Sequence, residues 1–149
     1  MNPPHATAVW KGTKILEAVF QTGFHISAQL PLALGQTSEP QPDLVAVAGS
    51  FQDYAAHHPT TAALVIEISD STLGFDLGEK ASLYAAGGIA DYWIVDINNR
   101  RVEVKRNPVP DPAQTYGWSY ASVIVFSPGE TITPLAVPTA IVAVADLLP

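Results

Sequence analysis

The sequence predicts a mixed α/β domain with one central sheet. Three observations carry that prediction. Short buried apolar runs alternate with helix-compatible segments in the first ninety or so residues. Hairpin signals and a return strand follow. No internal repeat or low-complexity tract breaks the pattern. The stretch from Ala6 to Phe20 carries Val9, Ile15, Leu16, Val19 and Phe20 at helix-compatible spacing, weakened by Gly12 and ending near Gly23. "FHISAQLPL" (24–32) alternates as a half-exposed strand, and "PDLVAVA" (42–48) is a short buried strand opened by Pro42. Residues 49–61 read as a loop with one helical turn, and 62–69 as the central strand. "STLGFDLGEKASLYAAGG" reads as a turn and then a helix from about Asp76 to Ala86, stopped by Gly87 and Gly88. "DYWIVDI" (91–97) is a strand, "NNR" a hairpin turn, and "RVEVKR" (101–106) an exposed return strand. The proline-rich tail adds short strands around Ser122–Phe126 and Thr131–Val137.

Bulk composition bounds the function. A chain of 149 residues suits one domain, taken as 1–149, that buries roughly two thirds of its unfolded surface. Hydrophobic residues make up 48% and charged residues 14%, a globular balance. No apolar run reaches the ~20 residues of a membrane span, and the start lacks the pattern of a signal peptide. The absence of Cys excludes disulfides and thiolate metal sites and fits a cytoplasmic location. Seven Lys and Arg against fourteen Asp and Glu give a net charge of -7. That opposes broad nonspecific binding to nucleic acid and leaves room for a metal-mediated phosphate site.

The chemistry concentrates at "ALVIEISDS" (63–71). Glu67 stands near the end of a buried strand, where an ionised carboxylate needs a partner or a metal. Asp43 begins its own strand. If the two strands are neighbours, both carboxylates meet at one end of the sheet and repel unless a cation lies between them. Mg²⁺ suits such a site because it takes oxygen ligands, using one or two carboxylates plus water and substrate phosphate. The plainer account is Asp43 capping a turn and Glu67 in an ion pair. Lys80 bears on the choice. It shares a helix face with Leu77 and Tyr84, and a lysine in a core-facing stripe needs a target. Asp76, one turn earlier, is the bland target; the carboxylates are the sharper one.

These segments resemble a known family. "QPDLVAVAGSFQDYAAHHP", "LVIEISDSTLGFDLGEKASLYAAGGIADYWIVDINNRRVEVKR" and the proline-rich tail look like the Uma-type endonucleases, small bacterial proteins of the PD-(D/E)XK nuclease superfamily. The resemblance covers roughly residues 5–149. It implies a restriction endonuclease-like core, a mixed central β-sheet flanked by helices with additional β-hairpins. It also implies Mg²⁺ or Mn²⁺ and hydrolysis of phosphodiester bonds in DNA. Position by position, Asp43 matches the first metal carboxylate, Glu67 the acid of the second motif, and the main-chain carbonyl of Ile68 a further metal ligand. The superfamily's usual lysine lies two residues after that acid, where this chain has Ser69. In the Uma-type branch the lysine moves to the following helix, and Lys80 in "DLGEK" matches it. Asp76 matches a supportive position. The family also implies a segment before His5 that is shorter here.

Other candidates have plainer accounts. Adjacent His57 and His58 point apart on an extended chain and read as a solvated loop. His5 has two readings, an approach to the site from the first helix and a plain surface residue, of which the second is preferred; Glu17 reads as an exposed helical acid. Arg100, Arg101, Lys105 and Arg106 suit DNA phosphates, but equally the polar rim of an edge hairpin. Tyr92 and Trp93 read as core. "AVPTAIVAVADLLP" suits a core strand or a subunit interface. The leading expectation is therefore a Mg²⁺-dependent endonuclease with Asp43, Glu67 and Lys80 catalytic, acting as a homodimer on duplex DNA. The alternative is an inactive nuclease-like scaffold for protein interaction or assembly. A glycoside-cleaving carboxylate pair is weaker, because it leaves Lys80 without a task.

Overall fold

A computed structural model describes residues 2–35, 38–70 and 73–149, with the backbone alone at Leu73. The turn read at Ser71 and Thr72 lies outside the described residues. In chain order the elements are α1 (Pro3–Phe20), β1 (Phe24–Ala28), β2 (Leu44–Ala48), a 3₁₀ turn (Phe51–Tyr54), β3 (Leu64–Ser69), α2 (Leu73–Leu77), α3 (Glu79–Ala86), β4 (Asp91–Asp96), β5 (Arg101–Pro110), β6 (Trp118–Phe126), β7 (Thr131–Ile132), β8 (Val142–Ala143) and α4 (Val144–Leu147). β1 to β6 form one sheet in sequence order, and β7 and β8 form a small second sheet. The central sheet is mixed, as expected: β3 and β4 are parallel, joined across one face by α2 and α3, and every other pair is antiparallel.

α1 starts three residues earlier than its apolar pattern suggests. Asn2 caps it by accepting from the His5 amide at 2.9 Å, and Pro3 and Pro4 occupy first-turn positions that need no N–H donor. The helix buries Ala8, Gly12, Leu16 and Phe20, spaced four apart, against the sheet. A Cβ at Gly12 would stand 2.6 Å from Leu44 Cδ1, so glycine permits a close approach of α1 to β2.

The helix read over 76–86 is two helices. α2 begins at Leu73, and the chain bends at Gly78 before α3. β5 runs to Pro110, well past the expected return strand. Its pairing with β4 ends at Arg106, so Pro108 and Pro110 fall where only β6 is a neighbour. β6 is correspondingly longer than expected, and β5 is an interior strand rather than the edge of a hairpin. The strand expected over 131–137 shrinks to two residues. The last apolar run becomes β8 and α4, whose Val142, Val144, Leu147 and Leu148 are buried in the core.

Strand alternation sorts the core into two layers. Leu44, Ala46, Leu64, Ile66, Ile68, Trp93, Val95, Val102 and Val104 face α1 and α4. Val45, Val47, Val65, Tyr92 and Ile94 face α3, meeting Ala81, Tyr84 and Ala85. Glu67 alternates with Val65 and so lies on the α3 side. Among the described residues no helix is long and apolar enough to cross a membrane.

The close approach at Gly12 is testable. Gly12→Val should lower unfolding stability by about 2 kcal/mol, since overpacking outweighs any gain in helix propensity. Urea denaturation read by circular dichroism measures it. An unchanged midpoint would show that α1 is not seated against Leu44.

Candidate active site

The β2–β3 ladder ends at Leu44 opposite Ile66. The next register position sets Asp43 opposite Glu67, on the same face. There the ladder continues through side chains. The Asp43 amide donates to Glu67 Oε1 at 3.0 Å, and the Ile68 amide donates to Asp43 Oδ2 at 2.8 Å. Each carboxylate takes an amide from the other strand, so the two acids are held together where the strands part. Ile68 therefore enters first through its N–H. Its carbonyl leaves the strand toward the same neighbour, because the two polar groups of a strand residue project to one side.

Three residues of the α2–α3 segment complete the cluster. Asp76, Lys80 and Tyr84 are spaced four apart and share one face. Lys80 Nζ lies 3.0 Å from Glu67 Oε2 and 3.3 Å from Asp76 Oδ1. The Tyr84 hydroxyl donates to Glu67 Oε2 at 2.8 Å. Lys80 also sits 5.7 Å from the centre of the Phe75 ring. Glu67 and Asp76 are buried, whereas the Lys80 side chain stays 28% exposed. Tyr92 donates its hydroxyl to the Asp76 carbonyl and fixes the start of this face.

The electrostatics follow from that burial. Desolvation pushes the Glu67 carboxyl up to about 7; Lys80 opposes the shift, Asp43 adds to it, and the Tyr84 hydrogen bond opposes it. Burial pulls the Lys80 ammonium down, but Glu67 and Asp76 outweigh it and raise the group above its ordinary value. Lys80 is thus a permanent cation, and Glu67 is the group near its titration point. Burial, and then Glu67, raise the Tyr84 hydroxyl far beyond physiological pH, so it remains a donor.

The structure brings Asp43, Glu67, Ile68, Asp76 and Lys80 together. His5 corrects the surface reading: its Nε2 is 3.4 Å from Asp43 Oδ2, and its buried Nδ1 has no hydrogen-bond partner among the described residues. The start of α1 thus borders the site. The sequence reading missed Tyr84 as a polar partner, having counted it only in the apolar stripe. The signal was its spacing of four from Lys80. Ser69 is buried, and no lysine occupies its position. His57 and His58 are exposed, with His57 Nδ1 beside the His58 carbonyl, and Glu17 is exposed on α1. Arg101 pairs with Asp96 at 3.2 Å and Arg106 with Asp91 at 2.9 Å, while Lys105 is buried. Of the four basic residues suggested for phosphate contact, Arg100 is the one left exposed without an ion pair among the described residues. Tyr92 and Trp93 are core residues, as expected.

The sequence profile of a family described as "Uma2: Putative restriction endonuclease" matches residues 1–145. Among curated proteins, none matches the sequence. Among solved structures, the chain is similar to a protein of Anabaena variabilis ATCC 29413 described as "a putative nuclease belonging to DUF820". The TM-score is 0.73 at 16% identity, covering 99% of this chain and 81% of that one. That likeness is one of fold, and it agrees with the nuclease-type core that the sequence resemblance implied.

Burial of Glu67 has a measurable consequence. Its folded pKa of about 7 exceeds the ordinary 4.5, so the folded state holds the proton more tightly than the unfolded one. Stability from this group is full below pH 4.5 and is lost as pH rises toward 7, by about 3 kcal/mol. Glu67→Gln should flatten this part of the pH profile. Urea midpoints at pH 5 and pH 8 test it: the drop between them should be larger in the wild type than in the variant, and equal drops would contradict the assignment.

Proposed function

The chain belongs to the Uma2 family, whose description is "Putative restriction endonuclease", and on that premise we propose that it is a metal-dependent endonuclease hydrolysing phosphodiester bonds in DNA. The observation that carries the reading is the convergence of Asp43, Glu67 and Lys80 at the open end of the β2–β3 ladder.

The donor chemistry fits a hard divalent cation. Asp43, Glu67 and the Ile68 carbonyl offer oxygen ligands only. Glu67 Oε1, Glu67 Oε2 and Asp43 Oδ2 already accept hydrogen bonds, whereas Asp43 Oδ1 has no donor among the described residues. No group of three or more His, Asp or Glu side chains forms a ready cage among the described residues. Two carboxylates completed by water and substrate phosphate are the set that Mg²⁺ prefers, and Mn²⁺ accepts the same ligands. Bound there, the ion would neutralise charge on the scissile phosphate and lower the pKa of a water.

The chain's own residues do the rest. Lys80 keeps its proton and would direct its ammonium at the place where negative charge builds on the phosphate oxygens. Tyr84 and the Asp43 amide hold Glu67 in one orientation. The Ile68 amide and His5 do the same for Asp43, so both acids meet the ion without rearranging. Asp76 anchors Lys80 through an ion pair at 3.3 Å.

A second reading is an inactive scaffold of the same fold. It is favoured by the placement of the cations, since Arg101 and Arg106 are spent on internal ion pairs in a chain of net charge -7. Catalysis separates the two. With Mn²⁺, the wild type should cut at least one of supercoiled plasmid, linear duplex and single-stranded DNA. Lys80→Ala should be slower by about 100-fold or more. A variant that cuts as fast as the wild type would identify a contaminating nuclease. A wild type that cuts none of the three would leave the scaffold reading.

A further inference from the structure

β6 is the last strand of the six-stranded sheet, and among the described residues it pairs with β5 alone. Its outer edge therefore presents a row of unpaired main-chain groups. Natural sheets protect such an edge with charges, prolines or very short strands. β6 has none of these. Its nine residues, "WSYASVIVF", contain no charged residue, no Pro and no Gly. α3 covers only its first half, where Tyr120 is buried and donates to the Ile89 carbonyl. Beyond that, Val123, Ile124 and Val125 are 47%, 51% and 43% exposed, so three consecutive aliphatic residues are uncovered on both faces. The opposite edge, β1, has five residues, includes His25, and is packed by α1.

We propose that β6 pairs antiparallel with β6 of a second copy, about a two-fold axis at Ile124, to make one continuous twelve-stranded sheet. The second copy is the occupant because the strand is self-complementary in that register. On one face, Val104 and Ile124 of one copy continue into Ile124 and Val104 of the other, an uninterrupted aliphatic row. On the other face, the β5 partners of Val123 and Val125 are Lys105 and Glu103. The axis sets Val123 against Val125 of the second copy, so each row runs from Lys105 of one copy to Glu103 of the other. Opposite charges flank both rows. Centring the axis on Ser122 would instead align Arg106 with Arg106. Two chains of net charge -7 repel, and an uncharged strand is where they can meet with the least repulsion.

The absence of cysteine makes the test clean. Antiparallel partners at a two-fold have Cα atoms about 4.5–5.5 Å apart, within the span of a disulfide. Ile124→Cys should therefore cross-link to a dimer under mild oxidation in dilute solution, while Trp10→Cys, exposed on α1, should stay monomeric. Light scattering should give the wild type twice the chain mass, and Ile124→Lys should give one chain mass with an unchanged circular dichroism spectrum. A monomeric wild type would overturn the proposal. So would an Ile124→Cys chain that stays monomeric, or one that cross-links no more than the Trp10→Cys control. None of these measurements depends on the nuclease reading.

Discussion

The site depends on one exchange of hydrogen bonds. Where β2 and β3 part, the Asp43 amide bonds the Glu67 carboxylate and the Ile68 amide bonds the Asp43 carboxylate. An ordinary ladder would end there with main-chain groups turned to water. Here the acids supply the next rung, so the same contacts that finish the sheet also aim two carboxylates at each other. The sheet's exit from regular pairing and the site's geometry are one feature. The cost is a carboxyl group held near its titration point inside the protein, which few folds tolerate without a cation to offset it.

The surrounding elements support that rung from two sides. α1 comes close to β2 because Gly12 has no side chain to block Leu44, and its first turn carries His5 to Asp43. α2 and α3 cross from β3 to the parallel strand β4, which sets one helical face over the end of β3. Asp76, Lys80 and Tyr84 lie on that face and supply an anchor, a cation and a donor. A lysine two residues after Glu67 would share its face of the strand. Ser69 is buried at that position, and Lys80 reaches Glu67 from α3 instead.

Much of this was legible in the chain itself. Alternating and continuous apolar runs located every strand from β1 to β4, and a helix-period stripe located α1 and α3. The helical face also predicted that Lys80 needs a target, and the structure supplies Glu67 and Asp76. What stayed hidden has physical reasons. The start of α1 lies in an Asn-Pro-Pro cap, where the apolar stripe has not begun. The length of β5 and β6 was masked by Pro108 and Pro110, which break strands only where a ladder partner needs their amide. The break at Gly78 fell inside the helix read from about Asp76 to Ala86. His5 seemed a surface residue because its partner, Asp43, is 38 positions away in the sequence. The ion pairs of Arg101 and Arg106 arise from register across β4 and β5, and spacing along one strand does not disclose them.

The central claim is that Asp43 and Glu67 form one divalent cation site whose geometry exists before the ion binds. Calorimetric titration of Mn²⁺ into the protein at pH 8 tests it most directly, with the wild type compared against Asp43→Asn and Glu67→Gln. The account predicts a specific site in the wild type that is lost in both variants while each remains folded. A wild type that takes up no ion, or variants that bind it as well as the wild type, would contradict it.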